Sequence, residues 1–247
     1  MGVVALLLAG CGEDNPGDGG GKPRLTVAAA TSLTDAFEEY GTRFDAATAR
    51  FSFAGSDELA AQIRRGVKPD VYAAADTTLP RQLFEAGLVK KPVTFAGNRL
   101  VIAVAAGSGG ISSIEDLGNR GVKLALGAAS VPVGEYAREV IAHLPDAEGE
   151  AILANVRSNE PNVAGVLGKL TLGAADAGFL YITDVSAVRD EVRTIELPKD
   201  LQPSVDYGAA VVVGAEQPQA AREFIDGLLD GRGFDALQQA GFEPPRK

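Results

Sequence analysis

Four short stretches place small, hydroxyl-bearing or backbone-only residues where the chain turns into a helix. Ala30-Thr31-Ser32-Leu33-Thr34-Asp35 offers a serine able to cap, with an acid three residues on, the pattern of a capping box. Ala54-Gly55-Ser56-Asp57-Glu58-Leu59 opens a segment that ends in Arg64-Arg65-Gly66, so acids stand at its start, bases at its end and a glycine after it. Ser130-Val131-Pro132-Val133-Gly134 sets a proline near a first helical position, and Glu160-Pro161-Asn162-Val163 is the fourth. The chemistry this permits is anion binding. The first N–H groups of a helix lack intrahelical partners and carry partial positive charge. Hydrogen bonds to a charged acceptor contribute about 1.5–3 kcal/mol each, so a handful would suffice for micromolar affinity without any Lys or Arg. Helix starts alone do not prove a site, because every α/β protein caps its helices.

Other chemistry is poorly supplied. His143 is the only histidine and Cys11 the only cysteine, which excludes a histidine–cysteine metal cluster and any internal disulfide. A hydrolase triad would have to use His143, which reads more simply as the C-terminal end of the helix preceding it. Val163-Ala164-Gly165-Val166-Leu167-Gly168-Lys169 lacks phosphate-loop spacing. Tyr72 reads as a core tyrosine in a strand rather than an anion contact. Asp57 and Glu58 read as dipole partners pointing outward, and the remaining carboxylates as solvated surface.

The elements that must position these residues alternate in type. Short apolar runs at 25–30, 71–75, 100–104, 122–126, 179–182 and 209–213 read as strands. Between them lie helical stripes such as Leu33, Phe37, Tyr40 and Phe44, so parallel sheets of α/β type are expected. The segment 143–155 reads as a surface insertion. A net charge of −10 argues against nucleic acid, which demands clustered Lys and Arg. Residues 3–10 form an uncharged apolar run, too short to span a bilayer but sized for a signal-peptide core, and no basic residue precedes it. It ends in Leu8-Ala9-Gly10-Cys11, which resembles a bacterial lipoprotein lipobox; the other reading is an apolar end with an incidental cysteine. Residues 12–23 are rich in Gly, Asp and Pro and read as a flexible tether.

Longer matches carry a family resemblance. Residues 25–37, Phe53-Ala54-Gly55-Ser56, residues 69–76, Gly97-Asn98-Arg99-Leu100-Val101, Val131-Pro132-Val133-Gly134-Glu135-Tyr136 and residues 176–184 resemble, in order, segments of the periplasmic molybdate-binding proteins. The resemblance implies a two-lobed periplasmic-binding fold of the second type, α/β in both lobes, with two crossing strands. One lobe would comprise 24–98 plus 206–247, the other 99–205, after a lipoprotein signal at 1–11 and the tether. It implies oxyanion ligands at Ser32 and Ser56 (hydroxyl and N–H), Val133 and Val163 (N–H only) and Tyr181 (phenol), while the lipobox resemblance implies a lipidated Cys11. The cargo would be molybdate or tungstate, with no cofactor, no bare metal cation and no enzymatic turnover. The partners would be the membrane subunits of an ATP-driven importer. The protein would be an exported monomer, periplasmic or held on the outer membrane face by its lipid. Another oxyanion such as sulfate, or an oxyanion-sensing role, remains the alternative.

Overall fold

The structure, a computed structural model, describes residues 22–245; the apolar run, Cys11 and the stretch through residue 21 lie outside them. In chain order the elements are β1 (Arg24–Ala30), α1 (Thr34–Thr42), β2 (Thr48–Ala54), α2 (Ser56–Arg64), β3 (Val71–Ala74), α3 (Thr78–Glu85), β4 (Val93–Asn98) and β5 (Leu100–Ala105). Then come β6 (Leu124–Gly127), α4 (Pro132–Ala142), α5 (Asp146–Ala154), β7 (Val156–Glu160), α6 (Val163–Thr171), β8 (Ala177–Tyr181) and α7 (Ile182–Val185). The chain closes with β9 (Val192–Glu196), β10 (Val205–Val211), α8 (Pro218–Asp230) and α9 (Arg232–Gln239).

These strands build two five-stranded sheets, ordered β2-β1-β3-β10-β4 and β7-β6-β8-β5-β9, each the centre of one lobe. Neither sheet is purely parallel, which corrects the expectation from alternating strands and helices. β1, β2 and β3 run parallel, but β10 is antiparallel to both its neighbours. In the second sheet β6, β7 and β8 run parallel and β5 is the antiparallel strand. The reason is connectivity: β5 and β10 each arrive from the other lobe rather than through a right-handed helical crossover, so nothing forces them parallel.

The chain passes between lobes twice. The first passage is abrupt, with Arg99 alone separating β4 from β5. The second occupies 197–204, so the passage precedes the apolar run at 209–213, which begins inside β10 and ends in the turn after it. The Gln202 side chain ties the two passages, accepting from Leu100 N–H at 3.2 Å and donating to Leu100 C=O at 3.0 Å.

Packing follows the strand period. Leu25, Val27 and Ala29 of β1 face a core shared with Phe37, Tyr40 and Phe224, while Ala28 faces the opposite layer of Leu59, Ile63, Tyr72 and Leu83. The segment 143–155, read as a surface insertion, is largely exposed but ordered. It forms α5, whose Ile152 is fully buried, and Asn155 behind it donates to Leu117 and Asn119 carbonyls at 2.8 Å each. His143 follows the last turn of α4, its Nδ1 2.7 Å from the Glu139 carbonyl.

Candidate functional site

The four helix starts converge. A single cavity of about 230 Å³, its opening included, is lined by Ala30, Thr31, Ser32, Ala54, Gly55 and Ser56 from the first lobe. Val131, Pro132, Val133, Asn162, Val163 and Tyr181 line it from the second. The enclosed part of that space is far too small for an organic ligand of ordinary size, and no Lys or Arg is among the lining residues. Ser32, Ser56, Val133, Val163 and Tyr181, all singled out from the sequence, thus meet around one space.

Each is placed by a distinct local cause. Ser56 is the first residue of α2, behind Gly55, so its N–H has no intrahelical acceptor. Its Oγ accepts from Ala75 N–H at 3.1 Å, which leaves the hydroxyl proton free for another acceptor. Tyr72, buried in β3, donates to the Ser56 carbonyl at 2.8 Å; it is a core tyrosine that also holds the helix start in place. Val163 opens α6 behind Asn162, whose side chain accepts from Gly165 N–H at 2.9 Å and leaves the earlier N–H groups for the cavity. Val133 is the second residue of α4, after Pro132. Arg138 of the same helix donates to the Gly127 carbonyl at 2.7 Å and to Asn159 Oδ1 at 2.6 Å, clamping α4 onto the ends of β6 and β7.

Two sequence readings need correction here. Ser32 does not cap α1. It lies in a short 3-10 turn before that helix, and its Oγ stands 2.9 Å from the Tyr207 hydroxyl. The turn carries Ser32 into the cavity wall, where a capping geometry would have turned it back on its own helix. Asp57 does not point outward either. Its Oδ2 accepts from Ser130 Oγ at 2.7 Å across the cleft, while its Oδ1 is buried without a hydrogen-bond partner. The Ser130 loop of the second lobe lies over the start of α2, and that contact decides the rotamer.

Tyr181, at the end of β8, is 1% exposed, and its hydroxyl is buried with no partner in the protein. Burial pushes its phenol well above the ordinary value, so it is held as a donor. Several carboxylates are also buried, contrary to the surface reading. Asp70 accepts from Thr26 N–H and Gln217 N–H, both at 2.7 Å, stitching β1 to the start of α8. Asp76, one residue beyond the lining Ala75, accepts from Leu79 N–H at 2.6 Å and keeps its other oxygen buried and unpartnered. Burial, with the Glu135 and Asp57 charges adding, raises it to about 6 against the pull of the Leu79 and Thr78 N–H groups. Burial likewise raises Asp184 to about 7. No sequence pattern announced Tyr207, Asn98 or Asp76 as neighbours of the site, because their proximity depends on how β3, β4 and β10 pair.

Among the described residues no cluster of His, Cys, Asp and Glu could hold a metal ion, and no helix is long and apolar enough to cross a membrane. Residues 25–243 match the model of a family described as bacterial extracellular solute-binding protein. The chain is 36% identical to the molybdate-binding protein ModA of Mycobacterium tuberculosis, over 98% of this chain and 96% of the relative. Its fold is similar to the periplasmic molybdate-binding protein of Azotobacter vinelandii, with a TM-score of 0.79 at 19% identity, covering 90% of this chain and all of the other. It is equally similar to the sulfate-binding protein SubI of M. tuberculosis, with a TM-score of 0.79 at 17% identity over 90% and 87% of the two chains.

Proposed function

The chain belongs to the bacterial extracellular solute-binding family, and we propose that it captures molybdate between its lobes and delivers it to the membrane subunits of an ATP-driven importer. The work of this family is solute binding, so the function is transport rather than catalysis. The observation that carries the cargo is the convergence of neutral donors on one small cavity, with the orphan hydroxyl of Tyr181 among them. A tetrahedral dianion supplies acceptors in several directions at once, and water-excluded donors of this kind gain strength from the low local dielectric.

In this reading Ser32 and Ser56 donate through hydroxyl and backbone, Val133 and Val163 through backbone alone, and Tyr181 through its phenol. The lobes are 24–98 with 206–247, and 99–205; ligand bridging them favours the closed arrangement. Tungstate shares charge and shape with molybdate and belongs to the same cargo class. Cys11 is the lipid attachment point, holding an exported monomer beside the importer through the 12–23 tether.

Calorimetric titration with molybdate, tungstate, sulfate and phosphate tests the cargo. Tight 1:1 binding of molybdate and tungstate with weak sulfate is expected; tight sulfate with weak molybdate would reassign it to the sulfate carriers. Combined Ser32→Ala and Ser56→Ala should weaken molybdate binding by about a hundredfold or more, since two charge-assisted bonds are lost. Unchanged affinity in that double variant would move the site elsewhere.

A further inference from the structure

Asn98 ends β4 at the first passage between lobes and is fully buried. Its neighbours decide which end of the amide points where. Arg99 N–H donates to Asn98 Oδ1 at 2.9 Å, so the Nδ2 end faces the opposite way. Nδ2 donates to Thr183 Oγ1 at 3.0 Å and to the Tyr207 hydroxyl oxygen at 3.3 Å. That oxygen, already accepting from Asn98, has its own proton left for Ser32 Oγ, 2.9 Å away. Burial pushes the Tyr207 phenol well above its ordinary value, so the proton is always there to give. Ser32 Oγ therefore accepts from Tyr207, and the serine proton is directed to the remaining side, the cavity it lines.

We propose that Asn98 is a positioning residue for anion selectivity, setting the direction of a hydrogen-bond chain through Tyr207 so that Ser32 presents a donor and not a lone pair to the bound anion. This rests on the reading of Ser32 as an oxyanion ligand. Ser56 receives the same polarity from Ala75 N–H, so both hydroxyls are committed as donors before any ligand arrives. A fully ionised tetrahedral anion meets such a wall without conflict. A protonated one, such as hydrogen phosphate, brings an O–H that faces the serine protons donor to donor, and an unpaired donor in a closed cavity is costly.

Asn98→Asp reverses the chain. The introduced carboxylate only accepts, so Tyr207 turns its proton toward residue 98 and must take its second hydrogen bond from Ser32. The serine then shows a lone pair to the cavity. Calorimetry at pH 7 with molybdate and inorganic phosphate as probes should show molybdate weakened by about tenfold or more, with the phosphate-to-molybdate preference shifted toward phosphate. Tyr207→Phe separates the chain from simple charge repulsion. With the link cut, adding Asn98→Asp should cost molybdate affinity far less than it does in the wild-type background. An equal cost in both backgrounds would mean the carboxylate acts through space, and would overturn the proposal. Wild-type protein that binds no tetrahedral anion would sink the site reading itself. Wild-type protein that binds molybdate, beside an Asn98→Asp variant of unaltered affinity and preference, would sink only the role of Asn98. Neutron diffraction from wild-type crystals grown with molybdate decides the matter even if a variant does not fold. Deuterium on Tyr207 directed at Ser32 is expected, whereas deuterium on Ser32 directed at Tyr207 contradicts the chain.

Discussion

Asp76 shows how a residue beside the cavity can set a property of the whole protein. Its carboxyl rises from 3.8 to about 6, chiefly through burial. A raised value means the folded state keeps a proton that the unfolded chain would release. The resulting stability is present in full below about pH 4 and is lost as pH climbs through about 6, a change on the order of 2–3 kcal/mol. Asp76→Asn should therefore unfold at higher urea concentration than wild type at pH 8, with the two converging near pH 4. Parallel urea titrations at three pH values check this; a constant gap across pH would mean Asp76 carries no linked proton. The buried carboxylates were not legible in the sequence. Asp70 and Asp76 sit at a strand start and a helix start like any surface acid, and only the layers packed over them remove the water.

At the scale of elements, the position of α4 governs where Val133 presents its N–H. Gly134 makes that position attainable: a Cβ there would stand 2.1 Å from the Ala128 carbonyl oxygen and 2.3 Å from that of Gly127. The helix lies directly against the end of β6, closer than any side chain allows. Gly134→Ala must push the two apart. It should cost about 1–3 kcal/mol or more in unfolding free energy and weaken oxyanion binding beyond what the stability loss explains. Equilibrium unfolding and calorimetry on one preparation measure both. Unchanged affinity in a destabilised variant would show that Val133 N–H is not needed for binding. Helix starts and their periodic stripes were readable along the chain, since capping residues, proline and apolar spacing are local. The capping role given to Ser32 was misread for the same reason: the local pattern fits a capping box, but the nonlocal hydroxyl of Tyr207 is the partner.

For the whole molecule, the lobes meet through contacts that no helix or sheet demands. Gly55 has φ −61° and ψ 140°, a conformation alanine adopts freely, yet a Cβ there would come 2.5 Å from the Pro161 carbonyl oxygen of the other lobe. Gly55→Ala thus opposes closure while leaving each lobe's backbone unstrained. Without ligand its thermal midpoint should stay within about 2 °C of wild type. Molybdate affinity should fall about tenfold or more, and small-angle scattering should show no compaction on adding ligand. Compaction equal to wild type would mean the lobes close without this contact. The Asp57–Ser130 bond is a second such contact, and it explains why an acid beside an anion cavity turns across the cleft.

The sequence alone determined what depends on neighbours in the chain. The α/β alternation, the four helix starts and the exclusion of a histidine–cysteine metal cluster and of an internal disulfide follow from spacing and composition. The family resemblance named five residues that prove to line one cavity. Only the tertiary structure decided the antiparallel entry of β5 and β10, the burial of Asp70 and Asp76, the turn of Asp57 toward Ser130 and the chain from Asn98 through Tyr207 to Ser32. Each joins residues distant in sequence, as in the 175-residue separation between Ser32 and Tyr207. Local pattern sets which groups a helix start or strand end can offer; sheet pairing and lobe contact set which partner each group finds.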